Sequence, residues 1–261
     1  MRIICPVKRV PDTAATKALA DDKTLDRDAG EPVLNPNDEF SIEEAMRIKE
    51  RTGGEVIVLC MGPEQAQTTV RKALSYGLDG AIQITDPGIH GSDAAATARV
   101  LAAALADEEF DLILMGNQSS DARTTLVPAM LAEYLDLPAL TYVRKLDVEE
   151  GKLTAQRETS SGYVVAETQA PAVVSVVEAI NEPRYPSFKG IMAAKSKPLT
   201  TKSLSDVGVD AGEVGLENSW TQIVEATPRP PKEAGEKVED DGSGSVGAQA
   251  LVEFLTSKKF I

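Results

Sequence analysis

Short unbroken apolar runs alternate with helical periodicity through the first two thirds of the chain. RIICPV (2–7), EVIVLCMG (55–62), GAIQITD (80–86) and DLILMG (111–116) read as buried parallel strands, because a strand covered on both faces needs no polar side. Between the first two, Asn37-Asp38 is expected to cap a helix through FSIEEAMRIKERTGG that stops at Gly53-Gly54. Pro63 suits the start of the next helix, EQAQTTVRKALSYG, which ends at Gly77. A Gly-Ser-Asp cap at 91–93 precedes the Ala-rich AAATARVLAAALADEE, and VPAMLAEYL is closed by Asp136-Leu137-Pro138. Four such βα repeats predict an α/β fold, a Rossmann-like open and mostly parallel sheet with helices on both faces. Residues 11–36 hold no regular period and many Asp, Thr and Gly, so they read as a long excursion in which Asp12, Asp26 and Asp28 are solvated.

From residue 140 the pattern changes. TYVRKLDVEEGKLTAQRETSSGYVVAETQAPAVVSVVEAI carries three alternating runs joined by Glu-Gly and Ser-Gly turns, which predicts antiparallel strand additions. NEPRYPSFKGIMAAKSKP (181–198) then places Arg184, Lys189, Lys195 and Lys197 against the single acid Glu182, with Pro183 and Pro186 bracketing Arg184-Tyr185. Residues 203–247, with TPRPPKEAGEKVEDDGSGS, are poor in periodic apolar positions, and AQALVEFLTSKKFI ends the chain as a short amphipathic helix. Such a helix needs a surface to dock on. The expected organisation is an α/β nucleotide-binding domain over 1–202 and an extended tail over 203–261.

Composition narrows the function classes. The 261 residues hold 41 acids against 27 bases, a net charge of −14, which argues against a nucleic-acid binder. No run of about 18 apolar residues exists, and MRIICPVKRV enters a strand pattern directly, so neither a membrane span nor a targeting segment is expected, and the cytoplasm is the expected location. Cys5 and Cys60 lie in apolar strands and read as buried reduced thiols. One histidine, His90, excludes a multi-histidine metal site, and it reads as a loop or capping residue.

In open parallel sheets ligands bind at the carboxyl ends of the strands. Four segments point there: Pro6-Val7-Lys8, Asn35-Pro36-Asn37-Asp38, Met61-Gly62-Pro63, and Gly116-Asn117-Gln118-Ser119-Ser120-Asp121. Glycines that admit a ligand, neutral donors and helix N-termini together suit an adenine nucleotide, although the same residues serve equally as turns and caps. A P-loop, a GxGxxG after the first strand and a GxSxG are all absent from the sequence. The chain is expected to bind or position something rather than perform bond chemistry, and is expected not to be an enzyme by itself.

VKRVPDT, LNPNDEFSIEEAMRIKE, GPEQAQTTVRKALSYG, DLILMGNQ and VVSVVEAINEPRYPSFKGIMAAKSKP together resemble the β subunits of electron-transfer flavoproteins, in order and over nearly the whole chain, including LSDVGVD (204–210) and a C-terminal tail. The resemblance implies a heterodimer with an α subunit that holds most of one FAD. It implies electrons taken from acyl-CoA dehydrogenases, as in fatty acid oxidation, and related flavoenzymes, and passed to a quinone-linked membrane reductase. It also implies an AMP held structurally, or a second FAD in the bifurcating branch. The implied AMP contacts are Pro6, Asn35, Pro36, Asn37, Asp38, Met61, Gly116, Asn117, Gln118, Ser119, Ser120, Asp121, Ala122, Arg123, Thr124, Thr125, Leu126 and Val127. The family loop D-x-D-x-x-Q-[VT] departs here, with Arg123 at its second Asp and Leu126 at its Gln, and the 157–162 stretch lacks the acidic run of some members. The implied partner-docking stretch is Glu182, Pro183, Arg184, Tyr185, Phe188, Lys189, Ile191 and Met192, with Phe188 as the inserted side chain and the tail wrapping the α subunit. A stand-alone universal-stress-like nucleotide binder shares the βα pattern and is the rival reading.

Overall fold

A computed structural model describes residues 1–15, 17–27, 30–227, 230 and 234–261. Asp28, and within the tail Pro228, Arg229 and 231–233, lie outside the described residues. The chain forms two compact units, Met1–Ile223 and Val224–Ile261.

Nine strands make the sheet of the first unit: β1 (Arg2–Val7), β2 (Glu55–Met61), β3 (Gly80–Ile84), β4 (Leu112–Gly116), β5 (Ala139–Glu149), β6 (Lys152–Thr159), β7 (Gly162–Gln169), β8 (Ala172–Val176) and β9 (Leu199–Lys202). Their spatial order is β7-β6-β5-β8-β4-β1-β2-β3-β9. All neighbours from β5 to β9 run parallel, and β5, β6 and β7 form an antiparallel ribbon at one edge. The mostly parallel α/β sheet is therefore as expected. AVVSV is the exception within the expected antiparallel region. It forms β8, every residue of which is buried, and inserts in parallel between β4 and β5. A continuous Val run is a two-sided buried strand, whereas β5 alternates because one of its faces meets water.

The helices are α1 (Pro36–Thr52), α2 (Gln67–Leu74), α3 (Ala94–Leu105), α4 (Val127–Tyr134) and α5 (Phe188–Ala194) in the first unit, and α6 (Ser245–Ser257) in the second. Ile42 and Ile48 of α1 and Val70 and Leu74 of α2 pack in one core with Ile3, Val58 and Leu114. Val100, Leu101 and Leu105 of α3 and Leu131 of α4 pack in a second core with Ile4, Leu59 and Ile113. Alternate residues of each central strand thus feed opposite faces.

The start of α1 differs from expectation. Asn35 is its N-cap and Pro36 its first residue, while Asp38 is buried at the third position. Asp93 caps α3 as expected, accepting the Ala96 N–H at 2.9 Å. The first unit also extends beyond residue 202. Leu204, Val209 and Val214 are buried in the second core, so this stretch belongs with the sheet and the compact unit ends at Ile223. In the second unit, Asp240 accepts N–H bonds from Gly244 and Gly247 at the start of α6, whose Leu251, Val252 and Phe254 are exposed.

Candidate functional site

The strand order reverses direction between β1 and β4, because the chain proceeds from β1 to β2 and β3 on one side and places β4 on the other. At such a switch point the loops leaving the two strands diverge and leave a crevice at their carboxyl ends. Lys8 follows β1 there, Asn35–Asp38 open α1, and Asn117–Asp121 follow β4.

These segments are knit together by side chains. The Asn35 Nδ2 donates to Asp38 Oδ1 at 2.8 Å and to the Gln118 carbonyl at 3.0 Å, while its Oδ1 accepts the Ser120 N–H at 3.1 Å. Asp38 Oδ2 accepts the Lys8 N–H at 2.8 Å. Gly116 is required by this crowding: a Cβ there would lie 2.6 Å from Asp38 Oδ1 and 2.8 Å from the Asn37 carbonyl. Burial, the largest influence on Asp38, pushes its carboxyl up to about 7, against the hydrogen bonds from Lys8 and Asn35 that favour its anion.

A cluster of cations lies beside it. Lys8 Nζ donates to Asp121 Oδ1 at 2.8 Å and to Ser119 Oγ at 3.2 Å. Arg27 grips Asp121 Oδ2 from the other side at 2.9 Å, and Lys17 Nζ reaches the Ser120 carbonyl at 3.4 Å. The Asp121 side chain is 1% exposed. Its burial opposes ionisation, but Lys8 and Arg27 outweigh it and hold the carboxyl down at about 2. Lys8 and Arg27 thus share one carboxylate that is already ionised, and Lys17 stands by on the Ser120 carbonyl. Ser120 Oγ is buried and has no hydrogen-bond partner among the described residues. An orphaned hydroxyl beside surplus positive charge and the N-terminus of α1 fits the phosphate end of a nucleotide.

Of the residues implied for AMP, Asn35, Asp38, Gln118, Ser119, Ser120 and Asp121 are brought together by these bonds. Pro36 and Asn37 carry the first turn of α1, Pro6 is buried within β1, and Asn117 accepts from Ser175 Oγ at 3.4 Å. The Met61–Pro63 turn is tied elsewhere. Gly62 donates to the Ile84 carbonyl, Gln83 Nε2 donates to that of Pro63, and Met61 packs on the second core. Ala122, Arg123, Thr124 and Leu126 are exposed, and Val127 begins α4. Arg123 (φ 53°) and Thr125 (φ 57°) both occupy the left-handed region, which costs a β-branched residue about 1–2 kcal/mol.

Sequence reasoning missed Lys17 and Arg27, which sit in the aperiodic excursion. The only signal is that three cations, Lys17, Lys23 and Arg27, punctuate a stretch of Asp and Thr, and nothing in one-dimensional order aims Arg27 at Asp121 or Lys17 at Ser120. From the same excursion Asp22 reaches His90, in the turn after β3, with Oδ2 2.7 Å from its Nε2.

The 181–198 stretch forms a second feature. Arg184 forks onto Glu43 and Glu50 of α1, so its guanidinium is engaged within the chain and ties the proline-flanked segment down. Asn181 Nδ2 donates to the Phe40 carbonyl and to Glu44. Ser187 caps α5 by accepting the Gly190 N–H at 3.0 Å. Tyr185 is 95% exposed and Phe188 81%, and Ile191 and Met192 of the same helix are exposed as well, while Glu182 and Lys189 flank them in solvent. Isolated exposed apolar residues are ordinary, whereas here four fall within eight residues on an anchored segment.

Among the described residues, no cluster of three His, Cys, Asp or Glu can hold a metal, and no helix is long and apolar enough to cross a membrane. A family model for the electron transfer flavoprotein domain matches residues 22–207. The electron transfer flavoprotein subunit beta of Mycobacterium tuberculosis is 47% identical over 266 residues, covering 99% of each chain. The subunit of that name from Thermoanaerobacterium thermosaccharolyticum is 38% identical over the whole of both chains. The caffeyl-CoA reductase-Etf complex subunit CarD of Acetobacterium woodii is 36% identical, again over the whole of both. The chain belongs to the electron transfer flavoprotein β-subunit family.

Proposed function

We propose that this chain pairs with an α subunit to form an electron carrier around one FAD held mostly by α. In this reading the carrier takes electrons from acyl-CoA dehydrogenases or related flavoenzymes and delivers them to a quinone-linked membrane reductase. The single observation that carries the reading is 47% identity over 99% of both chains with a protein bearing the β-subunit name. FAD, when bound, supplies the redox chemistry, and this chain's own residues bind, orient and recognise.

The crevice at β1 and β4 holds AMP in this reading. Ser120 Oγ and the cations Lys8, Lys17 and Arg27 meet the phosphate, so the family acid and amide replaced by Arg123 and Leu126 are not needed for charge balance. Phe188 is the side chain that enters the electron donor. Burying a Phe contributes about 1.5–3 kcal/mol, and a helix already capped and tethered loses little entropy on docking.

Co-expression with the neighbouring α chain tests the assembly, with a yellow complex expected only from the pair. A heat-denatured extract of that complex should hold one FAD and one AMP per dimer. Absence of AMP overturns the nucleotide assignment, and two FADs with no AMP support the bifurcating branch instead. Phe188→Ala should leave the dimer and its FAD intact and slow reduction by an acyl-CoA dehydrogenase. Unchanged kinetics remove Phe188 as the anchor.

A further inference from the structure

A groove of about 540 Å³ runs between α2 and α5, directly beside the exposed Phe188 stripe. Its floor and walls come from Thr68, Ser75, Ile191 and Ala194, and Lys72 and Lys195 stand at its rim. Ile191 belongs both to the groove and to the exposed apolar stripe, so the two features are one continuous surface.

The groove is preformed. Arg71, also in its wall, donates to the carbonyls of Ala194 and Lys197 at 2.8 and 2.7 Å, closing the C-terminal end of α5 onto α2. Gly190 permits the contact, since a Cβ there would fall 2.3 Å from the Ser75 carbonyl oxygen. Arg71 is thereby committed to structure. Lys72, Lys189 and Lys195 are not: among the described residues none of them forms an ion pair, and Lys72 Nζ lies over the Tyr76 ring at 5.7 Å. Lys197 differs, facing Asp79 at 3.7 Å. In a chain of net charge −14, two unpaired lysines at the rim of one partly apolar groove, with Lys189 also on α5, are a local reversal of sign. Such a patch raises the encounter rate with a negatively charged surface.

We infer that this groove seats an acidic segment of the electron-donating flavoenzyme, with a carboxylate held between Lys72 and Lys195 while Phe188 anchors beside it. The inference rests on the docking reading of Phe188 and adds a second, electrostatic foothold on α2, outside the 181–198 stretch.

The test uses the intact αβ heterodimer and an acyl-CoA dehydrogenase that reduces the wild-type complex. Lys72→Glu/Lys195→Glu should keep wild-type FAD content. Its reduction kcat/KM at ~10 mM ionic strength should fall by about tenfold or more. The deficit should shrink to within about twofold near 1 M salt, where the Debye length is about 3 Å. Lys72→Gln/Lys195→Gln, which keeps the side-chain bulk, should fall between wild type and the reversal. An unchanged kcat/KM at low salt, or a deficit that persists at high salt, overturns the groove. Phe188→Ala is run in parallel. If it slows transfer while the charge reversal does nothing, the anchor stands and the groove falls. If it has no effect, the anchor falls and the groove is judged by its own salt dependence.

Discussion

Asp121→Asn removes one negative charge from the crevice and changes almost nothing in shape. The wild-type carboxylate is buried and receives Lys8 on one oxygen and Arg27 on the other. Those cations hold it at about 2, against an ordinary 3.8. At 1.36 kcal/mol per pH unit this gap corresponds to roughly 2–3 kcal/mol of stability. Lys8 and Arg27 side chains are 35% and 37% exposed, so water resolvates them in the variant and the expected loss is about 2 kcal/mol rather than the larger penalty of a fully buried broken pair. For a unit of this size that is a fall in Tm of about 4–8 °C. The sign follows from the depressed folded pKa: the stabilisation is complete above about pH 4 and disappears as pH falls through about 2. Urea unfolding followed by far-ultraviolet circular dichroism at pH 7 and pH 3 measures it, and the gap between wild type and variant should narrow at the lower pH. Equal midpoints at pH 7, or a gap independent of pH, would refute the assignment of Asp121 as the charge that holds the excursion to the sheet.

Two further outcomes follow from the same geometry. Gly116→Ala drives a Cβ into Asp38 and the Asn37 backbone, so α1 must shift, and the variant should lose about 1–3 kcal/mol, read by urea midpoint, together with the AMP proposed for the crevice, read by extraction. Arg184→Ala strands the buried Glu43, whose burial opposes a charge that Arg184 and Arg47 sustain, and should cost about 1–3 kcal/mol while raising amide exchange across 181–187.

The βα part of the fold is legible because a strand buried on two faces has to be apolar throughout and a helix on a sheet has to repeat every three to four residues. The same rule, applied to AVVSV, identifies a buried strand, but only its pairing reveals that it enters in parallel beside β4. The helix start was misplaced by two residues because Asn35, Asn37 and Asp38 are all good caps, and the choice is made by Lys8 and Ser120 approaching from elsewhere in the chain. Likewise Leu204, Val209 and Val214 are too sparse to show periodicity, and they join the core because the surface left by α3 is apolar.

The sequence by itself determined the alternation of buried strands and amphipathic helices, the acidity of the chain, and the presence of a basic, aromatic, proline-flanked stretch at 181–198. These are properties of neighbours in the chain. Tertiary structure decided what lies far apart in sequence and close in space: Lys8 and Arg27 on Asp121, Arg184 on α1, and α2 beside α5. Charge pairs and grooves depend on distance in three dimensions, and no local periodicity records that distance.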